Sequence, residues 1–414
     1  MADILNDMLF LRANVNATTS DREGAFNSTG AFYIPIFTDG LKAGETITAK
    51  AIDTEHKDPG VKYKILTSRN AAEGTLETPI FPENAAFLFA ATLTKTNGLP
   101  SYHGLESYWN GTLGTGTASF GGAGGTGEVD TGRALLGVLF NGFTISVDRT
   151  NIEEIRMQNR IFVNREVPIT AAAPTPTFPA QDPYTTGNLY IDLQLGNDSG
   201  TIPAYQGDAT NLVNLSLNYS NNLSVSFHTN NTTAEKHLTW TRAYRKAPTL
   251  EITGSFIMAN TDYVRLTRLG TLRKGKIKVM GHGSSPSGST TCSASLASGA
   301  TSVTVASATG IAVNDYIILA QSSTNKICVT KVTAIATNTL TVSPALPFAI
   351  DGTASAITVK NTAWQLEVPL FDVEAKEPPA SGGDYKQVSF SGTARLASGQ
   401  TDLCVVSAYN DDNT

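Results

Sequence analysis

Two stretches of this chain carry one layout. Residues 45–81 and residues 222–256 each run an alternating strand into a polar loop, return through a second strand, and open a third on Thr-Leu-Glu, at Thr75-Leu76-Glu77 and Thr249-Leu250-Glu251. A short helix is expected after each copy. In the first copy it is residues 82–93, with Pro82 and Glu83 in front of apolar residues at helical spacing; in the second it is residues 260–269, with Asn260 or Thr261 as N-cap. A strand unit written twice points to equivalent surfaces placed around an axis, and so to assembly rather than catalysis.

Composition fits a chain of strands and turns. With 36 glycines, 41% hydrophobic and 16% charged residues over 414 positions, the chain has the makings of a folded, mainly β protein with a minority of helix. A net charge of -6 excludes a generic basic nucleic-acid binder, whose affinity comes from neutralising phosphates. Cys292, Cys328 and Cys404 form neither a CxxC pair nor an even framework, and read as small buried hydrophobes in a reducing compartment. The first residues, MADILNDMLFLRANV, are too short and too interrupted by Asp and Asn for a signal peptide, and no apolar run approaches the ~18 residues of a spanning helix. Folding in a cytoplasm and no membrane segment are expected.

Four segments follow along the chain. Residues 1–168 make a first β unit. Residues 169–187, rich in Pro and Ala, have the composition of an extended linker. Residues 188–282 and 361–414 make a second unit of the same order. Between its halves, residues 283–360 hold short Ser/Thr/Ala/Val-rich strands with no counterpart after the first helix, which reads as an inserted small β domain with flexible joints.

Catalytic vocabulary is missing. The glycine-rich stretch 119–132 lacks the Gly-Lys-Ser/Thr and the following helix of a phosphate loop. Asp53, Glu55, His56 and Asp58 could hold a cation, but a solvated hairpin tip is the simpler reading. The five histidines show no HExxH or His-x3-His spacing, and none stands beside a GxSxG turn. Trp240 and Trp364 lie in alternating strands and read as core or interface anchors, while Tyr102, Tyr108 and Trp109 raise a carbohydrate-stacking alternative. No enzyme activity, metal or cofactor is expected.

The long hairpin, the helix after a Thr-Leu-Glu strand, and a closing strand reading YKQVSFSGTARL (385–396) together resemble the tail tube, or major tail, proteins of long-tailed (siphovirus-like) bacteriophages. Residues 293–345 resemble a small Ig-like β module that decorates phage tail proteins. The resemblance implies two tandem tube-type β-sandwich or barrel units, rings of six such folds stacked into a hollow tube, and DNA passing through the lumen without specific binding. Two folds per chain then imply a homotrimer ring of pseudo-hexameric symmetry, with the inserted domain pointing outward. The hairpin tips, Asp53, Glu55, His56, Lys57 and Asp58 in one copy and Asn230, Asn231 and Glu235 in the other, would meet neighbouring subunits; the basic run Arg265, Arg268, Arg273, Lys274, Lys276 and Lys278 is a candidate partner surface. Asp148, Glu367, Asp372 and Glu374 are candidates for an acidic lumen wall. Implied partners are further copies of the chain and the tape measure, terminator and tip proteins, in a virion tail assembled in the host cytoplasm. The alternative is a tail-tip or adhesin-like module binding a cell-surface receptor or glycan.

Overall fold

The computed structural model describes residues 8–14, 31–37, 40–42, 46–52, 64–70, 72–96, 99–109, 132–169, 182–196, 202, 209, 211–230, 237–257, 274–283, 288–321, 326–352, 355–359, 362–376 and 387–409. These residues are mainly β. The first part contains β1 (Met8–Asn14), β2 (Ala31–Ile34), β3 (Leu41–Lys42), β4 (Thr46–Ile52), β5 (Lys64–Asn70), β6 (Ala72–Pro79), α1 (Pro82–Leu93), β7 (Lys95–Thr96), β8 (Leu99–Pro100), β9 (His103–Trp109), β10 (Gly132–Asp148), β11 (Arg156–Val163) and β12 (Arg165–Ile169). After a single 3-10 turn at Thr186–Asn188 come β13 (Leu189–Gly196), β14 (Leu212–Ser220), β15 (Leu223–Asn230), β16 (His237–Arg245), β17 (Thr249–Ile257) and β18 (Lys274–His282). Then follow β19 (Gly288–Thr291), β20 (Ser302–Thr304), β21 (Tyr316–Gln321), β22 (Lys326–Ala336), β23 (Thr339–Ser343) and β24 (Ser355–Val359), and finally β25 (Ala363–Lys376), β26 (Gln387–Ala394) and β27 (Val405–Tyr409).

One 15-stranded sheet carries the main path β13-β18-β25-β26-β17-β14-β10-β11-β6-β3. Within it the order β3-β6-β11-β10 recurs as β14-β17-β26-β25, and β10 meets β9 and β12 as β25 meets β18 and β27. The two sets are joined by seven antiparallel pairs between β10 and β14, from Gly142↔Ser220 to Asp148↔Asn214. Alternation explains why this sheet has one apolar side: Phe143, Ile145 and Val147 of β10 and Leu215, Leu217 and Tyr219 of β14 are buried between polar neighbours.

The helix forms where the sequence places it. Pro82 fixes the first turn, the Asn84 Oδ1 accepts the Phe81 N–H at 2.8 Å, and the Asn84 amide donates to the Pro79 carbonyl at 3.0 Å. Its Phe89 reaches both strand sets, with ring centroids 5.5 Å from Phe143 and 5.5 Å from Trp364. One buried cluster accordingly runs through α1, β10, β14, β17, β25 and β26. The second expected helix, residues 260–269, lies outside the described residues.

Two features belong to the local scale. The segments ALLGVLF and TISVD run together in one 17-residue strand, β10. Gly137, at φ 61°, stands in the register shift of the β9·β10 ladder, just past the end of the β12 ladder, and Gly142 lets the β14 backbone come close: a Cβ there would collide with the Tyr219 carbonyl and stand 3.1 Å from the Ser220 Cα. The end of the stretch read as a linker is also held in place, for Tyr184 is buried, its N–H donates to the Ile80 carbonyl at 2.9 Å and its carbonyl accepts from Ile155 at 2.8 Å.

The strands β19 to β24 form their own six-stranded sheet around their own apolar cluster. This sheet also touches the main one. Ile318 and Val329 pack with Tyr190, Met280 and Ala363, and the Tyr316 and Tyr409 rings stand 4.6 Å apart. The flanking residues 284–287 and 360–361, read as flexible joints, lie outside the described residues.

Candidate functional site

Across β6, β11, β10, β14, β17, β26 and the second half of β25, the strand registers bring polar side chains into rows. One row reads Glu77, Gln158, Thr144, Asn218, Glu251, Thr393 and Asp372; the next reads Arg156, Ser146, Ser216, Thr253, Ser391 and Glu374. Because strand side chains alternate, these rows share the face opposite Phe143, Leu217, Ile252, Phe390 and Val373. Cross-strand contacts knit the face: Thr144 Oγ1 donates to Asn218 Oδ1 at 3.3 Å, and the Ser146 and Ser216 hydroxyls are 3.3 Å apart. A shallow concavity of about 590 Å³ opens on it, lined by Glu77, Ser146, Asp148, Arg156, Gln158 and Ser216 among others.

The arginines on this face have partners. Arg156 lies 3.0 Å from Glu154 and 3.7 Å from Glu77, and its guanidinium sits 4.2 Å over the Phe37 ring. The Arg160 guanidinium donates to Asn218 Oδ1 at 3.0 Å and to the Tyr219 carbonyl at 3.1 Å, while Arg395 pairs with Asp372 at 2.6 Å. Asp148 is exposed; the Thr150 hydroxyl and backbone N–H donate to its Oδ1 at 2.7 and 2.9 Å and hold its carboxyl below the usual carboxylate value.

Asp372 and Glu374 stand on these rows, and Asp148, opposite Asn214, stands on the same face beyond Ser146. Glu367 lies further back along β25, off these rows, on the half that pairs with β18 and β27; the register shift between Gly275 and Ile277 keeps it on the face of Asp372, the two facing Lys278 and Lys274 of β18. There it faces Lys278 at 3.8 Å. Burial lowers the pKa of the neighbouring Lys276, against the opposing pull of Glu367 and Asp192.

The hairpin tips Asp53, Glu55, His56, Lys57, Asp58, Asn231 and Glu235 lie outside the described residues, as do Arg265, Arg268 and Arg273. Asn230 ends β15, opposite His237. The two hairpins share a four-stranded sheet, β15-β16-β5-β4, through a parallel contact of β16 with β5 at His237↔Arg69. That neighbourhood is not written in either hairpin alone.

Residues with sharper alternative readings fall into packing roles. His103 is buried between Phe87 and Phe140, with ring centroids at 5.2 and 5.5 Å, and Trp364 is fully buried in the main core. Burial pushes the Cys328 and Cys404 thiols up to about 12, which keeps them neutral and unreactive. Among the described residues no group of His, Cys, Asp and Glu could hold a metal ion, and no helix is long and apolar enough to cross a membrane.

Sequence reading missed one polar joint, formed by Asn141 and Asn221. The buried Asn221 amide donates to the Thr92 carbonyl at the end of α1 at 2.8 Å, its backbone N–H donates to the Asn141 carbonyl at 2.6 Å, and Leu223 N donates to Asn141 Oδ1 at 2.9 Å. Its only sequence signal is the pair Asn221-Asn222 between two strands, a turn signal without a partner.

Among the described residues, a mainly β sheet with one continuous polar face and paired arginines makes a structural framework that presents a wall. The chain belongs to the phage tail tube family: the sequence model described as phage tail tube protein matches residues 22–264, more than half of the chain. It is a structural component of the phage tail, assembling with itself and with other tail proteins. No curated protein matches the chain.

Proposed function

We propose that three copies of this chain close into a ring of pseudo-hexameric symmetry, and that stacked rings form the tube through which DNA leaves the virion. The reading is carried by one observation: the strand order β3-β6-β11-β10 recurs as β14-β17-β26-β25 in a single sheet with one shared polar face. Each chain then supplies two tube-type units, residues 1–168 and residues 188–282 with 361–414, joined by the stretch 169–187. The insert, residues 283–360, stands on the outside three times per ring.

The polar face is the lumen wall, with Asp148, Asp372 and Glu374 turned toward DNA and Glu367 further along β25, paired with Lys278. Arg156 and Arg395 are already paired with carboxylates, so they offer a passing phosphate backbone little to hold. The hairpins, with tips at Asp53 to Asp58 and Asn230, Asn231 and Glu235, meet neighbouring subunits or rings, and the tube ends meet tape measure, terminator and tip proteins during assembly in the host cytoplasm.

Electron microscopy of the purified protein and of the native particle tests this reading. Rings or tubes with a near sixfold inner wall and a threefold exterior are expected. A protein that remains monomeric under every condition, or that occurs in only a few copies per particle, would overturn it.

A further inference from the structure

Away from the polar rows, three chemically complementary side chains stand in line across β13, β18 and the first half of β25. Asp192 lies opposite Lys278 in one ladder, and Lys278 lies opposite Glu367 in the next. Alternation puts all three on one face, turned away from Ile191, Val279 and Leu366 of the main core. Directly paired strand residues stand about 4.5–5.5 Å apart at Cβ, so a lysine between two carboxyls can reach either. The Lys278 Nζ is 3.8 Å from a Glu367 carboxylate oxygen.

The insert roofs this line. Tyr190 and Met280, one alternation away on the same face, pack against Ile318 and Val329 of the insert, and the charge of Lys278 acts on the buried Cys328 thiol of β22. Asp192 is 0% exposed, while the Lys278 and Glu367 side chains keep 15% and 31%. An ion pair can neutralise such a site, but only against the penalty of desolvating both charges. Moving one proton from the ammonium to the carboxylate leaves a neutral amine beside a neutral acid, and burial shifts the balance toward that form. Burial already lowers the pKa of Lys276, which feels the same two carboxyls. Both oxygens of Asp192 are held, Oδ1 by the Gln194 amide at 2.5 Å and Oδ2 by the Tyr190 hydroxyl at 3.3 Å. Donors so placed fix the carbonyl carbon and stabilise negative charge that develops on its oxygen.

We infer that Lys278 and Asp192 join in an amide bond, with Glu367 carrying the proton, so that β13 is tied covalently to β18. The neutral Nζ of Lys278 forms the C–N bond at Asp192 Cγ, and the electron pair displaced onto Oδ1 is held by Gln194. Glu367 takes a proton from Nζ and passes it to the hydroxyl at Oδ2; the Cγ–Oδ2 bond breaks and one water leaves. Glu367 ends as it began, and no oxidant or cofactor enters. The bond falls where the sheet is held least: β13 ends the main path and, among the described residues, pairs with β18 alone. The inference concerns a single chain and stands apart from the ring reading.

Mass spectrometry of the full chain tests it. Trypsin should leave a branched peptide, lighter by one water, that joins the stretch holding Asp192 to the stretch holding Lys278 and is uncut after Lys278. Lys278→Arg keeps the charge and should abolish the branched peptide with circular dichroism unchanged, whereas Lys276→Arg should retain it. Asp192→Asn should still form the bond with loss of ammonia in place of water, which marks residue 192 as the acyl donor. Glu367→Gln, followed by mass after synthesis, should form the bond at least about a hundredfold more slowly. Wild-type protein without the branched peptide would overturn the inference, as would a bond made through Lys276 or one formed at the wild-type rate in Glu367→Gln.

Discussion

Asp148 ends its strand on a carboxylate tied to Thr150 by two hydrogen bonds, at 2.7 and 2.9 Å. Both favour the charged form, so its folded pKa lies below the ordinary 3.8. The sign follows by linkage: a depressed carboxylate stabilises the fold above its unfolded pKa, and that contribution is lost as pH falls through the lower folded one. Thr150→Ala removes the hydroxyl donor. NMR titration of the Asp148 carboxyl is expected to move up toward 3.8 in this variant, with the wild-type midpoint below it; identical midpoints would show that Thr150 does not hold the charge. The consequence is a site on this polar face that stays negative in a mildly acidic medium. Asn221 acts at the same scale by a different route, since its amide satisfies a carbonyl at the end of α1 that would otherwise be buried without a donor.

The elements α1, β10 and β25 show what was legible in the sequence and what was not. The helix could be read from Pro82, Glu83 and the apolar spacing after them because those signals act within one turn. The continuity of β10 could not be read, because Gly142 is required by the approach of Tyr219, a residue distant in sequence. Strict alternation along β25 would set Glu367 on the opposite face from Asp372 and Glu374; a register shift in the β18·β25 ladder returns it to their face, and no local pattern announces such a shift. The packing of α1 likewise depends on distant partners. Phe89 lies between Phe143 of one strand set and Trp364 of the other, and only 2% of its surface is exposed. Phe89→Ala leaves a cavity where the two sets meet, and a loss of about 3–5 kcal/mol is expected in denaturant unfolding. If the two sets were independent, the variant would show two separated transitions, one unchanged; a single shifted transition is expected from their shared core.

At the scale of the whole molecule, the six-stranded insert is both separate and attached. Its own core of Val303, Ile317, Leu319, Val332 and Leu340 would let it hold its shape alone, which fits the composition change that marked it in the sequence. The seam beneath it was not readable, since Tyr190, Met280, Ala363 and Tyr409 come from four different strands of the main sheet and meet Ile318 and Val329 only in the fold. A purely decorative module could be removed without cost to its host. Here removal uncovers a contiguous apolar patch, and at roughly 25 cal/mol per Å² even the few side chains of this seam represent a few kcal/mol of lost burial. Replacing residues 284–361 with a short Gly/Ser linker is therefore expected to lower the melting temperature of the remaining protein by several degrees in calorimetry, and restoring polarity at the seam with Tyr409→Ser and Met280→Thr should recover solubility without restoring stability. An unchanged melting temperature would mean that the insert merely hangs from the wall. The expected fall would make it a buttress across β13, β18, β25 and β27.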